Sequence, residues 1–554
     1  MPNAGFVKKT FGTELETELR IMSDSTTAIR PFDQVGDVAV SLAPARTRDS
    51  VLRRVFSFPA MMAALLAGGA FVAHREFRVD SDIWWHIKAG AGILATHHWP
   101  IADPYSFTVA GQPWLSYEWL GDVLLATVER IGGVLGLEIL LIVLTVAIML
   151  ALYAFATLRS GNSKAAFLAS AVLLPLVVPI CNLRPQMLGY LFLILTLIAL
   201  ERFRQGKSRG IWFLPLLMLV WINTHGSWEV GLGVIFVYWM SGLKTLRLGT
   251  LQMRAWRPVE RRNLSFVFLL CLAVLPITPY GARLAAVPFQ IASSVPLSLK
   301  YILEWQPMPL ASLGGKIFLG VILAFFAMQF LFRFTWRLEE LVLFFFGVTM
   351  AFIHVRFLII FVPFSVPLFA TVLARWVPGY QREKDRPIIN AILIAGVIGG
   401  VMFYFPARAD IQKDVSRNFP VGAVNYLRQH DVPGPMLNNY GFGGYLVWTL
   451  GPERKVFIDG RSELYEHGGV LGDYMRLTLL QPGAFSVLQS YGIKSCLLNR
   501  EEPLATALGA MPDWQKVYSD DLSVIFVRRS VSDLPRSTAL ARVSGRSEHE
   551  QRTN

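Results

Sequence analysis

The strongest constraint on this chain is a series of apolar segments, most of them long enough to cross a lipid bilayer, joined by polar connections. Eleven lie between residues 55 and 405, at about 55–74, 134–158, 164–181, 186–201, 211–223, 228–243, 264–279, 316–332, 338–353, 357–374 and 387–405. Because a membrane helix needs roughly 17–25 apolar residues, the pattern predicts an all-α membrane bundle of about eleven transmembrane helices. The composition agrees, since 53% of residues are hydrophobic and 16% are charged.

The distribution of Lys and Arg predicts how this bundle is oriented. Arg53 and Arg54 precede the first segment, and every second connection after it is basic, most densely between residues 244 and 262. Basic connections remain in the cytoplasm, so the N-terminus is expected on the cytoplasmic side. The expected location is a bacterial inner (cytoplasmic) membrane. The net charge of +13 follows from the same bias, and we do not expect nucleic acid as a partner.

The composition also predicts the domain order. Residues 1–54 read as a disordered cytoplasmic tail, and residues 55–405 form the membrane domain, with a large outer loop at 75–133. Residues 406–530 mix helix and strand patterns and predict a small soluble α/β domain outside the membrane, followed by a disordered tail at 531–554.

Shorter elements are predicted within these parts. In the outer loop, 83–95 and 114–131 read as helices lying along the membrane interface. The predicted elements of the C-terminal domain are helices at 419–430, 484–492 and 501–510, strands at 454–459 and 494–498, and a hairpin at 514–528.

The outer loop concentrates titratable residues among tryptophans. Asp80, Asp82, His86 and Glu118 lie close in sequence to five Trp side chains. Acids beside apolar surface at the membrane–water boundary can have a raised pKa and act as general bases. The alternative is a solvated loop anchored by its aromatic rings.

Other unusual polar residues fall on the same predicted side of the membrane. They are Arg184, Asn223, His225, Glu304, His354 and Arg356. Each alone has a structural explanation, such as snorkelling or helix capping. Because ionisable groups near membrane depth are costly and usually line a cavity, the set predicts one shared cleft.

The C-terminal domain has a candidate of its own, carried by Asp459, Arg461 and Glu463 after the predicted strand. Ligands bind outside the carboxyl ends of strands in open α/β sheets, which favours a binding site. The alternative is that Asp459 caps the next helix while Arg461 pairs with Glu463.

Missing motifs narrow the chemistry. The sequence contains no P-loop, no glycine-rich dinucleotide fingerprint and no HExxH motif, which argues against chemistry driven directly by a nucleotide. Two of the three cysteines lie in apolar segments, so a disulfide framework is not expected. No motif indicates a particular cofactor, and the pair Asp80 and Asp82 is a candidate site for a divalent cation.

Three passages carry a family resemblance. They are the loop DSDIWWH…ADPYSFT…GQPW…EWL, the series WINTHG…TPYG…EWQP and the C-terminal NNYGFGGYLVW…KVFIDGRSELY. Together they resemble uncharacterised bacterial multi-span proteins. Those proteins in turn look like membrane glycosyltransferases of the GT-C class, which includes protein O-mannosyltransferases, oligosaccharyltransferases and aminoarabinose transferases of lipid A.

The resemblance implies a function. Enzymes of this class take a sugar from a polyprenyl-phosphate donor, and an acid just after the first span is the base or a metal ligand. Asp80 is the first choice for that acid and Asp82 the second. Arg184 and Arg356 would stabilise the leaving phosphate, and the DGR passage has no counterpart in the class.

The expected activity is therefore transfer of a sugar to an envelope lipid, glycan or protein at the outer face. His86, Glu118 and His225 would hydrogen-bond sugar hydroxyls. A lipid or glycan transporter or flippase is the first alternative, which the absence of an internal repeat disfavours. An envelope assembly protein without catalysis is the second.

Overall fold

The computed structural model describes residues 48–74, 80–178, 181–331 and 334–529. The chain divides into two compact units, Met1–Leu52 and Arg53–Asn554, and all elements after the first helix belong to the second unit. The predicted tail at 531–554, and all but the end of the predicted tail at 1–54, lie outside the described residues.

The first two thirds of the chain are helical. The helices are α1 (Arg48–Val55), α2 (Phe58–Ala73), α3 (Ile83–Thr96), α4 (Trp119–Ser160), α5 (Ser163–Val177), α6 (Gln186–Arg204), α7 (Leu214–Thr224), α8 (Trp228–Ser241), α9 (Pro258–Ala273), α10 (Arg283–Ser294), α11 (Pro296–Tyr301), α12 (Leu313–Leu331), α13 (Leu338–Ile353), α14 (Leu358–Leu373) and α15 (Pro387–Tyr404). Apolar runs bounded by Arg, Lys, Pro and Gly account for most of these boundaries.

Five helical segments of the described chain are long and apolar enough to cross a membrane: α4, α6, α12, α15 and Val355–Leu373, which includes α14. Helices α2, α5 and α8 are apolar but shorter, with 10 to 17 residues. Every predicted segment contains a helix, yet the predicted count of eleven crossings is not confirmed. The chain is a mostly helical protein with several membrane-length helices.

Helix α4 differs from its prediction. The predicted interfacial helix at 114–131 and the predicted span at 134–158 form one helix that starts later, at Trp119. It is interrupted at Gly133, whose φ of 59° and ψ of −152° are not helical. Glycine tolerates this positive φ because it has no Cβ. The part before the break carries Asp122 and packs beside α3.

A small sheet lies among the connections, and the apolar pattern did not reveal it. Strands β1 (Leu246–Leu248) and β2 (Leu251–Met253) form an antiparallel hairpin, and β3 (Trp336–Arg337) pairs with β2 in parallel. Strands of two or three residues are too short to produce a periodic signal.

The C-terminal region is an α/β unit, as predicted. Its helices are α16 (Arg408–Asn418), α17 (Val421–Gln429), α18 (Tyr440–Leu450), α19 (Ser462–His467), α20 (Val470–Thr478), α21 (Ala484–Ser490) and α22 (Pro503–Gly509). Its strands β4 (Met436–Asn438), β5 (Ser495–Asn499), β6 (Trp514–Ser519) and β7 (Ser523–Arg528) form a sheet in the order β4-β5-β7-β6. Strand β4 is parallel to β5, and the other pairs are antiparallel.

The predicted strand at 454–459 is wrong. This segment contains only an isolated bridge, in which Val456 pairs with Ser106 of the outer loop. The Val456 N–H donates to the Tyr105 carbonyl at 3.1 Å, and the Phe107 N–H donates to the Val456 carbonyl at 3.1 Å. The extended segment therefore satisfies its backbone against the outer loop instead of joining the sheet.

Helix α3 is also more buried than an interfacial helix would be. Trp84 is fully buried and packs against Trp448, with ring centroids 4.5 Å apart, and edge-on against Phe419 and Tyr445. These aromatic contacts join α3 to the C-terminal region. Because Trp84 is enclosed by protein, its ring is not available to anchor the loop in lipid.

Candidate active site

A cavity of about 600 Å³ lies where α3, α4, α6 and α8 meet the connections around residues 295–305 and 354–357. Ten of the thirteen candidate residues line it, eight from the membrane-domain set and two from the separate C-terminal candidate. They are Asp82, His86, Glu118, Arg184, His225, Glu304, His354, Arg356, Arg461 and Glu463. The structure therefore brings ten of these residues to one cavity, and the other three lie behind its walls.

Arg184 lines the cavity and forms ion pairs with three carboxylates. Its Nη2 atom lies 2.6 Å from Oδ2 of Asp80 and 3.1 Å from Oδ2 of Asp82, and its Nη1 lies 3.1 Å from Oε1 of Glu304. Burial alone would lower the pKa of Arg184, but the three carboxylates raise it well above its ordinary value. The Arg184 guanidinium is therefore paired with carboxylates of the protein itself.

Asp80 and Asp82 have different surroundings. Asp80 does not line the cavity, and its Oδ1 accepts the backbone N–H of Asp82 at 2.9 Å. Asp82 precedes α3 and faces the cavity. Burial raises the pKa of Asp82 from 3.8 to about 6, against the lowering effect of Arg184. Asp82 is thus the acid with access to a ligand, and near neutral pH it is mostly ionised.

A second cluster consists of Glu118, His86 and Asp122. Nδ1 of His86 lies 2.6 Å from Oδ1 of Asp122, whose other oxygen accepts the hydroxyl of Ser116. Nε2 of His86 lies 3.5 Å from Oε2 of Glu118. Burial alone would lower the pKa of His86, but Asp122 and then Glu118 reverse this, and the pKa is raised. Asp122 therefore orients the imidazole through its Nδ1 atom.

His225 completes this cluster. The backbone N–H of Ser227 donates to Nδ1 of His225 at 3.0 Å, so the ring proton is on Nε2, which lies 3.3 Å from Oε1 of Glu118. Burial lowers the pKa of His225 to about 3, and Arg356 adds to this effect. Burial also raises the pKa of Glu118 from 4.5 to about 8, although His86 opposes it. At neutral pH, Glu118 is therefore protonated and His225 is neutral.

Arg356 lines the cavity and has no carboxylate partner among the described residues. Its guanidinium stacks over Trp305 at 4.1 Å from the ring centroid, and none of the described carboxylates forms an ion pair with it. Nδ1 of the neighbouring His354 contacts the Trp305 carbonyl oxygen at 2.6 Å, which holds the Trp305 backbone beside this corner. An arginine that faces a cavity without a carboxylate partner is suited to bind a phosphate.

Apolar side chains form the rest of the cavity. They come from α10, α11, α13 and the start of α14: Val287, Ile291, Leu299, Ile302, Met350, Ile353 and Ile360. The cavity therefore combines a charged end with a wall suited to a hydrocarbon chain.

The C-terminal region supplies one side of the charged end. Tyr440, Gly460, Ser462 and Glu463 line the cavity, and burial raises the pKa of Glu463. Gly460 lies so close to α3 that an added Cβ would be 1.7 Å from Oδ1 of Asp82. The glycine at this position leaves the space that the Asp82 carboxylate occupies.

Two predicted C-terminal residues have a different role. The side chains of Asp459 and Arg461 are fully buried, and Nη2 of Arg461 lies 2.6 Å from Oδ2 of Asp459. Nη1 of Arg461 also contacts Oδ1 of Asp103 in the outer loop at 2.7 Å. Arg461 thus pairs with Asp459 and Asp103 and not with Glu463. This buried cluster fastens the C-terminal region to the outer loop.

Asn223 also lies outside the cavity. Its Oδ1 accepts the Nε1–H of Trp119 at 2.7 Å, and its Nδ2 donates to the Leu219 and Ile277 carbonyls at 2.8 and 3.1 Å. Its polar atoms are used within the fold, where they join α4, α7 and the connection after α9. The sequence pattern missed Glu229, which lines the cavity with a buried Oε2 that has no hydrogen-bond partner among the described residues.

The donor set does not fit a divalent metal ion at Asp80 and Asp82. Within the described residues, no three His, Cys, Asp or Glu side chains are grouped so that they could hold a metal. The oxygens of Asp80 and Asp82 instead converge on Nη2 of Arg184. A hard cation requires several oxygens at 2.0–2.6 Å from one point, and the guanidinium takes that point.

Comparisons with known proteins give structural likenesses only. No protein-family model and no curated protein matches the sequence. A crystal structure of the Archaeoglobus fulgidus oligosaccharyltransferase, tethered with an acceptor peptide, has a TM-score of 0.49 and 10% identity, over 86% of this chain and 74% of that chain. The arabinofuranosyltransferase AftD from Mycobacteria has a TM-score of 0.48 and 14% identity, over 84% of this chain and 41% of that chain.

A third structure, ArnT from Cupriavidus metallidurans bound to undecaprenyl phosphate, has a TM-score of 0.43 and 13% identity, over 87% of this chain and 98% of that chain. The chain is thus similar to glycosyltransferase structures, as the resemblance in its sequence implies. With TM-scores below 0.5, these likenesses carry no argument about its activity, which depends on its own side chains.

Proposed function

We propose that this chain is a membrane glycosyltransferase that moves a sugar from a polyprenyl-phosphate donor to an envelope lipid, glycan or protein. The observation that carries the proposal is the composition of the cavity. One cavity holds a carboxylate with a raised pKa, an arginine without a carboxylate partner among the described residues, and an apolar wall. A lipid-linked phosphosugar presents matching groups: an acidic phosphate, hydroxyls and a hydrocarbon chain.

In the proposed reaction, Asp82 is the base, in preference to Asp80. Asp82 faces the cavity, whereas Asp80 is turned toward Arg184 and does not line it. The Asp82 carboxylate takes the proton of the acceptor hydroxyl while the acceptor oxygen forms a bond to the anomeric carbon. The bond from that carbon to the phosphate oxygen breaks, and its electron pair leaves with the phosphate. Attack from the opposite side inverts the configuration of the sugar.

Arg356 is proposed to bind the leaving phosphate. The phosphate gains negative charge as the glycosidic bond breaks, and a preorganised guanidinium stabilises that charge. Trp305 holds the guanidinium by stacking, so that its donors remain available. Arg184, which also was expected to bind phosphate, is assigned instead to orienting Asp82.

The remaining polar groups are proposed to bind the sugar. Protonated Glu118 donates a hydrogen bond, and the free Oε2 of Glu229 accepts one from a hydroxyl. The apolar side chains of α10, α11 and α13 receive the start of the polyprenyl chain.

The proposed orientation puts the cavity and the C-terminal region outside the cytoplasm. The basic connections, which follow α6, α8 and α14, are then cytoplasmic. They occupy the opposite ends of these helices from the connections that line the cavity. The proposed location is the inner membrane of a bacterium.

The test is mass spectrometry of envelope lipids, glycans and proteins from cells with and without this protein. We expect one hexose- or pentose-sized group to disappear in its absence and to return with the wild-type chain. Asp82→Asn should fail to restore it, with a loss on the order of 10²-fold or more in rate. Glu501→Gln, which removes an exposed carboxylate of the C-terminal region, is the matched control and should restore it fully.

Two results would oppose the proposal. Full restoration by Asp82→Asn, at normal protein levels, would mean that Asp82 is not the base. No changed sugar in any fraction would favour the transporter or flippase alternative over a transferase.

A further inference from the structure

The acidic pair Asp80 and Asp82 is already paired with a cation of the protein, the guanidinium of Arg184. Nη2 of Arg184 lies 2.6 Å from Asp80 and 3.1 Å from Asp82, while Nη1 lies 3.1 Å from Glu304. Its side chain is 17% exposed, so solvent does little to screen these contacts. The guanidinium stays protonated at any physiological pH, which makes it a permanent charge.

The backbone holds Arg184 in this position. Arg184 lies in the connection between α5 and α6, and its carbonyl accepts the N–H of Met187 at 3.1 Å. The next residue, Pro185, packs so closely on α4 that a Cβ added to Gly121 would lie 2.6 Å from the proline Cβ. The arginine therefore extends from a fixed point into the acids, and its contacts do not depend on a mobile loop.

The arrangement of the three carboxylates also distinguishes a guanidinium site from a metal site. A divalent ion draws its ligands to a single point, whereas a guanidinium distributes carboxylates over diverging N–H groups. Here Asp80 and Asp82 meet one nitrogen and Glu304 meets another. The three acids are consequently arranged around a planar fork.

We propose that Arg184 is the resident cation of this acidic cluster, occupying the place that a divalent metal ion would need, so that the cavity functions without a bound metal. Arg184 is then a positioning residue, since it sets the direction of the Asp82 carboxylate. The inference concerns the cavity of the proposed function. Its test measures metal binding without turnover, so its failure is distinguishable from failure of the transferase assay.

The experiment uses the full-length chain, purified in detergent, treated with EDTA and desalted. Retained Ca²⁺, Mn²⁺ and Zn²⁺ are measured by elemental mass spectrometry after equilibration with each ion, and thermal unfolding is followed with and without it. The wild type should retain no stoichiometric metal, and its Tm should not rise. Without the guanidinium, the carboxylates of Asp80, Asp82 and Glu304 lose the charge around which they are spread and can turn toward one ion. Arg184→Gln should therefore retain about one ion per chain, with a Tm rise of a few degrees that EDTA reverses.

Two variants serve as controls. Arg356→Gln removes an arginine from the same cavity that is not paired with a described carboxylate, so it should gain no metal. Arg184→Lys keeps one positive charge among the acids and should also gain none. Metal binding by Arg356→Gln would mean that removing any positive charge from the cavity is enough to create a metal site, and would overturn the proposal.

Other outcomes are equally decisive. Stoichiometric metal in the wild type overturns the proposal, and so does a folded Arg184→Gln variant that gains none. If Arg184→Gln does not fold, the wild type and Arg184→Lys decide the question: metal retained by either one overturns the proposal, and none retained by both supports it.

Discussion

The carboxyl group of Glu118 lies between two imidazole rings, and burial raises its pKa from 4.5 to about 8. In the unfolded chain the same group is in water and titrates near 4.5. The folded protein therefore holds this proton more tightly than the unfolded chain does. The stability contributed by Glu118 is fully present below pH 4.5 and is lost as the pH rises through about 8.

Replacing this group by a neutral amide should remove that pH dependence. We expect the Tm of the wild type to fall between about pH 5 and pH 9, and the Tm of Glu118→Gln to fall less, because the amide does not ionise. Thermal unfolding in detergent across this range is the measurement. Glu501→Gln, an exposed site, should follow the wild type. Parallel curves for wild type and Glu118→Gln would contradict the raised pKa.

At the scale of single residues, the sequence predicts part of the site. Asp82, His86, Glu118 and Arg356 could be identified because ionisable groups beside apolar segments are costly and therefore conspicuous. The same search, extended to uncharged polar side chains, also selected Asn223, whose polar atoms are used within the fold. It could not separate Asp82 from Asp80, since the direction of each carboxylate depends on contacts with Arg184, about one hundred residues later in the chain.

At the scale of elements, the site depends on how closely α3 and α4 approach. A Cβ added to Gly90 of α3 would lie 2.0 Å from the backbone oxygen of Asp122 and 2.3 Å from its carbonyl carbon. Backbone atoms cannot rotate out of the way, so a methyl group here must separate the helices. That separation would break the 2.6 Å contact between His86 and Asp122.

We therefore expect Gly90→Ala to lower the free energy of unfolding by roughly 2 kcal/mol or more, and to reduce sugar transfer as well. Gly92→Ala, in the same helix, is the matched control, because its Cβ would meet only the Tyr105 hydroxyl at 4.0 Å. Alanine is the better helix former, so Gly92→Ala should be neutral or stabilising by about 0.5 kcal/mol. Thermal unfolding and the envelope assay check both. Equal Tm values for the two variants would contradict the close packing.

The elements show why prediction from sequence succeeds for some and fails for others. Long apolar runs locate α2, α6 and α12 within a few residues, because hydrophobic length is a local property. The segment at 454–459 has the composition of a strand, but its partner is the outer loop around Ser106 and not the sheet. A pairing between segments 350 residues apart is set by tertiary contacts, which local composition does not report.

At the scale of the whole molecule, the cavity is complete only where the C-terminal region meets the outer loop. The buried ion cluster of Asp459, Arg461 and Asp103 fastens the two. Gly460 lies between Asp459 and Arg461 in the sequence. The DGR passage, far from the membrane helices in sequence, thus lines the cavity, because its glycine allows the backbone to approach Asp82 closely. Under the proposed function, sugar transfer therefore depends on a correctly docked C-terminal region.

Gly460→Ala tests this dependence. Its Cβ would lie 1.7 Å from Oδ1 of Asp82, and the end of a side chain can move aside, so the protein should fold with little change in Tm. The displaced carboxylate should then transfer protons poorly, with a loss on the order of 10²-fold in kcat/KM. Gly472→Ala, whose Cβ would meet Leu297 Cδ1 at an ordinary 3.5 Å, should retain activity. An active Gly460→Ala variant would show that the C-terminal region encloses the cavity without positioning the Asp82 carboxylate.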